Sequence, residues 1–153
     1  MDVRYITPFI DATIHVLDTI AFTKAESGKP FLKKDRYAQG DVSAVIGLTG
    51  DVKGTISVSF TEKSILTIVK NMFQEEIAEI NDDVGDAAGE IANMISGQAR
   101  QRLEELGRNL KAAIPTVIMG KDHTIAHITE QKIIAIPFRS DSGEFTIEVC
   151  FEE

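Results

Sequence analysis

Over residues 80–106 the chain carries a pattern that only a long α-helix with two unlike sides accommodates. Asp86, Glu90, Asn93 and Gly97 follow one another at spacings of four, three and four residues, which at about 100° per residue keeps them within about 60° of one another. Val84, Ala88, Ile91 and Ile95 project roughly 140° to 200° away from Asp86. The apolar side has to dock on a core, so the rest of the fold must offer it a surface, and the polar stripe is left facing outward. The stripe costs the helix stability. Asn93 is a weak helix former, and Gly89 and Gly97 each lose roughly 1 kcal/mol relative to alanine in a helix interior. Gly97, on the stripe, lets another molecule's backbone come close, whereas Gly89, off its centre, admits a neighbouring helix or strand. Gly107 is placed to end the helix.

The remaining segments supply the docking surface. Ile6, Ile10, Ile14, Leu17 and Ala21 recur at helical spacing with Pro8 in the first turn, which predicts a first helix. Ser27-Gly28-Lys29-Pro30 breaks that pattern, and a polar connection is expected as far as Gln39. Strands are predicted over 41–48 and 53–60 around Thr49-Gly50-Asp51-Val52, whose glycine suits a type II′ hairpin turn. In the second strand Ile56, Val58 and Phe60 alternate with Thr55, Ser57 and Ser59, so one face is expected to be buried and the other wet or covered by a second subunit. Thr61 is placed to cap a helix over 62–73, with Ile65, Ile68, Val69 and Met72 inward. Strand segments follow over 111–119, 124–128, 132–139 and 144–151, the last two joined by the turn Ser140-Asp141-Ser142-Gly143.

Helices alternating with antiparallel hairpins predict an α+β fold, long helices layered on an antiparallel sheet. A weak internal pseudo-two-fold repeat is also visible, helix then hairpin in each half. Laying the two main helices on each other sets Asp11, His15 and Asp18 against Asp86, Glu90 and Asn93, so the first copy lacks the glutamate and the asparagine.

With 153 residues, 43% of them hydrophobic, the chain suffices for one good core, and residues 1–153 are read as a single domain. No apolar run approaches the length of a membrane span, and Met1-Asp2-Val3-Arg4 lacks the character of a signal peptide. One cysteine, Cys150, falls in a predicted strand where it would pack, and a cytoplasmic protein is expected. The net charge of -8 disfavours nucleic acid and anionic membranes as partners. No Lys or Arg occurs from Asn71 to Ala99, where Glu75, Glu76, Glu79, Asp82, Asp83, Asp86 and Glu90 all fall. Acids near a helix start suit its dipole, and the same surface would steer a partner that presents a lysine.

Several chemistries lack their residues. There is no GxxxxGK[ST] loop and no GxGxxG after a strand, so nucleotide binding has no support. Only three residues follow Cys150, too few for a Cys-x5-Arg phosphatase loop. His123 and His127 are four apart in or beside a strand with no obvious carboxylate set, so no metal site is expected there. Asp82, Asp86 and Glu90 share one helix, which offers too few oxygens for Mg²⁺ or Ca²⁺, and an open helix does not provide the cleft that a glycosidase carboxyl pair requires.

The pattern Asp86-x3-Glu90-x2-Asn93, followed by Gly97, resembles the signature helix of the CheC/CheX/FliY family of bacterial chemotaxis phosphatases. The order of elements is similar over almost the whole chain, from Pro8-Phe9-Ile10 through Gly50-Asp51-Val52-Lys53-Gly54 to the last strands. A single signature copy matches the shorter members, whereas CheC-like members carry two. The resemblance implies the family fold and dephosphorylation of phospho-CheY, a response regulator whose acyl phosphate sits on an aspartate beside Mg²⁺ held by CheY itself. No cofactor or metal is then expected on this chain.

Asn93 and Glu90 are the catalytic candidates that the resemblance implies. The carboxamide of Asn93 would place the attacking water, and Glu90 would pair with the regulator's active-site lysine. A general-base role for Glu90 is the alternative. Asp86 and Gly97, with Glu90, would border the partner. The resemblance also implies a homodimer. The rival reading is a non-catalytic module that binds or scaffolds a response regulator on the same fold; retention of Asn93 favours the enzyme, because docking alone has little use for a carboxamide at that point.

Overall fold

Local signals and long-range pairing both leave clear marks on the computed structural model, which describes residues 3–35, 37, 40–121, 123–125 and 132–152. After a short 3-10 turn the chain runs α1 (Thr7–Ala21), β1 (Ala25–Ser27), β2 (Phe31–Lys33), β3 (Val42–Gly50), β4 (Gly54–Phe60), α2 (Glu62–Phe73), α3 (Asp82–Glu105), β5 (Leu110–Ala112), β6 (Thr116–Met119), β7 (Ile133–Ser140) and β8 (Gly143–Phe151). The strands make one antiparallel sheet in the order β1-β7-β8-β4-β3-β5, with β2 also on β7 and β6 also on β3. The architecture is α+β, as expected. Each half contributes a helix, two short strands and a hairpin, and the short strands of each half pair with the hairpin of the other.

Register explains the core. Across β3, β4, β8 and β7 the hydrogen-bonded neighbours form the rows Val42–Phe60–Phe145–Phe138, Ala44–Val58–Ile147–Ile136 and Ile46–Ile56–Val149–Ile134. Because side chains alternate along a strand, these rows all point to one face, and the helices cover it. Phe9 of α1 meets Phe151 with ring centroids 6.0 Å apart, and Phe138 stacks on Phe145 at 4.9 Å. Val84, Ala88, Ile91 and Ile95 of α3 are all buried in the same cluster.

The second face of the sheet departs from expectation. Thr55, Ser57 and Ser59 are buried, not wet. On this side Lys33 Nζ donates to Glu148 Oε2 at 2.7 Å and to the Tyr37 carbonyl, the two charged side chains being 3% and 1% exposed. Ser43 Oγ lies 2.6 Å from Ser59 Oγ and 2.6 Å from His123 Nε2. The chain therefore covers its own outer sheet face, where Lys33 answers Glu148 and Ser43 answers Ser59 and His123, while the buried Ser57 hydroxyl has no hydrogen-bond partner among the described residues.

Other differences have equally local causes. The polar connection before Gln39 contains β1 and β2, three-residue edge strands too short to carry a periodic signal. The first hairpin closes with Leu48 opposite Gly54, so five residues form its loop in place of a two-residue turn. Gly50, at φ 122°, stays in β3 because it pairs with Leu110, and Asn109 binds Asp51 through both backbone and carboxylate. The strand expected over 111–119 is divided at Ala113–Pro115 into β5 and β6, since proline has no N–H for the ladder. Of the segment 124–128, Thr124 makes a single bridge to Tyr37, and residues 126–128 lie outside the described set. On α1 the buried face centres on Phe9, Ala12, Thr13 and Val16, leaving Ile10 and Ile14 half-buried.

Removing one member of a buried ion pair leaves the other charge uncompensated. Lys33→Met is expected to lower the unfolding free energy by about 3–5 kcal/mol, read from urea denaturation; a loss below about 1 kcal/mol would show that this pair does not hold the β2 edge.

Candidate functional site

The stripe sits on a helix that its own sequence delimits. Asn81 caps α3, its side chain accepting from Val84 N–H at 3.0 Å, and Asp82 and Asp83 occupy the first turn where the dipole favours acids. At the other end Gly107, at φ 88°, donates to Glu104 O at 2.9 Å, and Arg108 donates to Leu103 O at 2.9 Å. This is a Schellman ending, with glycine in the left-handed conformation that it requires. Between these ends α3 is rigidly seated.

Two glycines set its closeness to the sheet edge. A Cβ on Gly85 would lie 3.2 Å from Met119 Sδ, and one on Gly89 would lie 3.3 Å from Val117 Cγ2 and 3.9 Å from Pro115 Cβ. Gly89 thus admits strand β6. Gly97 differs. A Cβ there would meet nothing nearer than Arg100 Nη2 at 3.9 Å, so its backbone is open to the exterior.

Asp86, Glu90 and Asn93 are all exposed on the outward side of α3, and Gly97 continues the same line half-buried. Among the described residues neither Asp86 nor Glu90 takes part in an ion pair, and the Asn93 side chain makes no hydrogen bond. The matching positions on α1 have a different fate. Asp11 faces Arg102 Nη1 at 3.5 Å, and Asp18 accepts from Lys24 Nζ at 2.7 Å, while His15 is exposed. One acidic stripe is neutralised within the fold. The other keeps two carboxylates and a carboxamide available to a partner.

Beside the stripe lies a groove of about 480 Å³ lined by Val69, Met72 and Phe73 of α2, Glu75 and Ile77 of the crossing segment, and Asp83, Asp86, Ala87 and Glu90 of α3. Sequence reasoning named the acids, but assigned Met72 only to the core and gave Phe73 no role beyond ending the helix. Phe73 is 57% exposed. The available signal was a large apolar residue at the last position of a capped helix, next to an acid run.

The remaining candidates are occupied structurally. His123 is held by Ser43 Oγ and the Gly120 carbonyl, and His127 lies outside the described residues. Among the described residues no three His, Cys, Asp or Glu side chains converge as a metal site would need. Cys150 is a buried thiol in β8. No described helix is long and apolar enough to cross a membrane.

Comparison with known proteins finds relatives over most of the chain. The family model for chemotaxis phosphatase CheX matches residues 42–139. The CheY-P phosphatase CheX of Thermotoga maritima is 28% identical over 123 residues, 80% of this chain and 79% of that protein. The crystal structure of a chemotaxis protein CheX from Desulfovibrio desulfuricans is 49% identical with a TM-score of 0.90, covering 97% of this chain and 99% of that one. The CheX-CheY-BeF3-Mg²⁺ complex from Borrelia burgdorferi contains a chain 27% identical, with a TM-score of 0.82 over 97% of this chain and 98% of that one.

If the stripe serves a partner and not the fold, its removal should be harmless to stability. Asp86→Ala and Glu90→Ala are expected to change the unfolding free energy by less than about 0.5 kcal/mol. Gly97→Ala should stabilise by about 0.5–1 kcal/mol, because alanine is the better helix former and nothing obstructs it. Thermal or urea unfolding measures all three; a loss above about 1 kcal/mol at Glu90 would assign the stripe to structure.

Proposed function

The chain belongs to the CheX family of chemotaxis phosphatases, and on that premise we propose that it hydrolyses the aspartyl phosphate of a phosphorylated CheY-type response regulator, with Asn93 and Glu90 as its catalytic residues. The observation that carries this reading is the contrast between the two helices: the acids of α1 are neutralised by Arg102 and Lys24, whereas Asp86, Glu90 and Asn93 are exposed with no partner among the described residues. We read residues 1–153 as one domain, a reading supported by the short strands of each half pairing with the hairpin of the other.

An acyl phosphate has a good leaving group, so positioning supplies most of what a catalyst must add. The Asn93 carbonyl accepts a hydrogen from the water and its NH2 donates toward a phosphoryl oxygen. The water oxygen bonds to phosphorus as the bond to the aspartyl oxygen breaks, releasing the regulator's carboxylate and inorganic phosphate. Glu90, one turn earlier, pairs with the regulator's lysine and so fixes how deeply Asn93 enters. Asp86 and the open backbone at Gly97 border the contact. Mg²⁺ belongs to the regulator, where it balances the phosphoryl charge. The reaction is placed in the cytoplasm, where Cys150 remains a buried thiol.

The functional unit is a homodimer in this reading. Among the described residues β2 pairs only with β7 and β6 only with β3, and β2 exposes Phe31 and Leu32 at 47% and 50%. Such an edge invites a second strand. Sedimentation equilibrium should give twice the chain mass, and a monomeric mass at micromolar concentration would overturn this part.

Asn93→Ala should reduce stimulated phosphate release at least about 10²-fold while binding persists. Glu90→Ala should lower kcat/KM by about 10- to 100-fold, chiefly by weakening docking. Both are read from loss of label from the phosphorylated regulator at catalytic enzyme concentration. Unchanged turnover by Asn93→Ala would sink the mechanism, and release that saturates at one regulator per chain would identify the sequestering module instead.

A further inference from the structure

We propose that the groove between the end of α2 and the start of α3 is a second docking point, which receives an apolar side chain flanked by lysine or arginine on the surface of the same response regulator. This rests on the phosphatase reading above and deepens it by naming the surface that selects the regulator.

The groove has an apolar floor and an acidic rim. Val69 and Ala87 are buried at its base, Met72 and Ile77 are half-buried, and Phe73 stands 57% exposed at its lip. Glu75, Asp83, Asp86 and Glu90 surround it, and among the described residues no Lys or Arg lines it. The nearby cation, Lys70, is paired with Glu76 at 2.6 Å and sits outside the lining. A volume of about 480 Å³ suits one or two large side chains.

The cap structure keeps this groove open. α2 stops at Phe73 because Gln74 turns left-handed at φ 59°, its N–H donating to Lys70 O at 2.7 Å. The chain then crosses to Asn81 before α3 begins, so Phe73 projects at a helix end with no strand or helix passing over it among the described residues. Four carboxylates around an apolar floor repel an anionic occupant and attract a basic rim with an apolar centre. Asp86 and Glu90 belong to both the groove and the proposed catalytic stripe, so an occupant of the groove is held directly beside the phosphoryl group toward which Asn93 directs the water. Two contact points along the helix would fix the regulator's rotation, which Glu90 alone cannot do.

The test is a kinetic and binding comparison on the whole protein with purified phosphorylated CheY-type regulator as probe. Phe73→Ala and Asp83→Lys should each raise KM about tenfold with kcat at saturation changed less than about twofold. Phe73→Leu should restore most of the affinity. In an Asn93→Ala background, where phosphate release is blocked, the same substitutions should weaken regulator binding by the same factor. KM within about twofold of the parent for both variants would overturn the inference while leaving the phosphatase reading intact. Should the parent protein fail to release phosphate, that reading fails, and the binding arm still decides the groove. A change in sedimentation mass on Phe73→Ala with KM unchanged would assign the groove to a second copy of this chain and likewise overturn it.

Discussion

Everything in this molecule hangs on the pairing of β4 with β8. These strands come from opposite halves of the chain, yet they align in seven successive pairs from Gly54 opposite Phe151 to Phe60 opposite Phe145. A slip of one residue would send every apolar row to the other face, so the same register that joins the halves also decides where the helices sit. Bulky partners pin it. Phe60, Phe145 and Phe138 form one aromatic row, and Gly54 is required opposite Phe151, because a Cβ there would lie 2.3 Å from the phenyl ring. The short strands of each half are then added to the other half's hairpin, which makes the two halves inseparable.

The position of α3 follows from that sheet. Gly85 and Gly89 bring it against Met119 and Val117 of β6, its apolar side closes the core, and the stripe is left as the side that nothing else covers. α1 was built from a similar pattern and ended differently. Arg102 reaches Asp11 from α3, and Lys24 folds back on Asp18. Two related helices thus share one layer, one with its acids answered inside the chain and one with its acids offered outward.

The proposed site is an exposed helix face and not a cleft. The chemistry accounts for this. An acyl phosphate with its metal already in place needs a water held in line and little else, so in the proposed reading the partner would bring the reactive centre and this chain would supply the Asn93 amide. On that reading specificity would come from how the two proteins fit, and the exposed acids and the groove at Phe73 combine shape and charge there.

What the sequence determined by itself is what acts within a turn or two of backbone. The stripe on α3, the Thr61 cap, the glycine ending at Gly107, the turn at 140–143 and the alternation in β4 and β8 were all legible because caps and periodicities are local. The tertiary structure alone decided the edge strands β1 and β2, the five-residue loop that Asn109 imposes on the first hairpin, the break at Pro115, and the buried Lys33–Glu148 pair on a face expected to be wet or covered by a second subunit. It also decided which acids remain available. Asp11 and Asp86 look alike in sequence, but a carboxylate's fate depends on the cation that folding brings to it, and Arg102 arrives at Asp11 from far along the chain. Pattern placed Asp86, Glu90 and Asn93 on one side of a helix; only packing determined that this side would meet the solvent with no partner among the described residues.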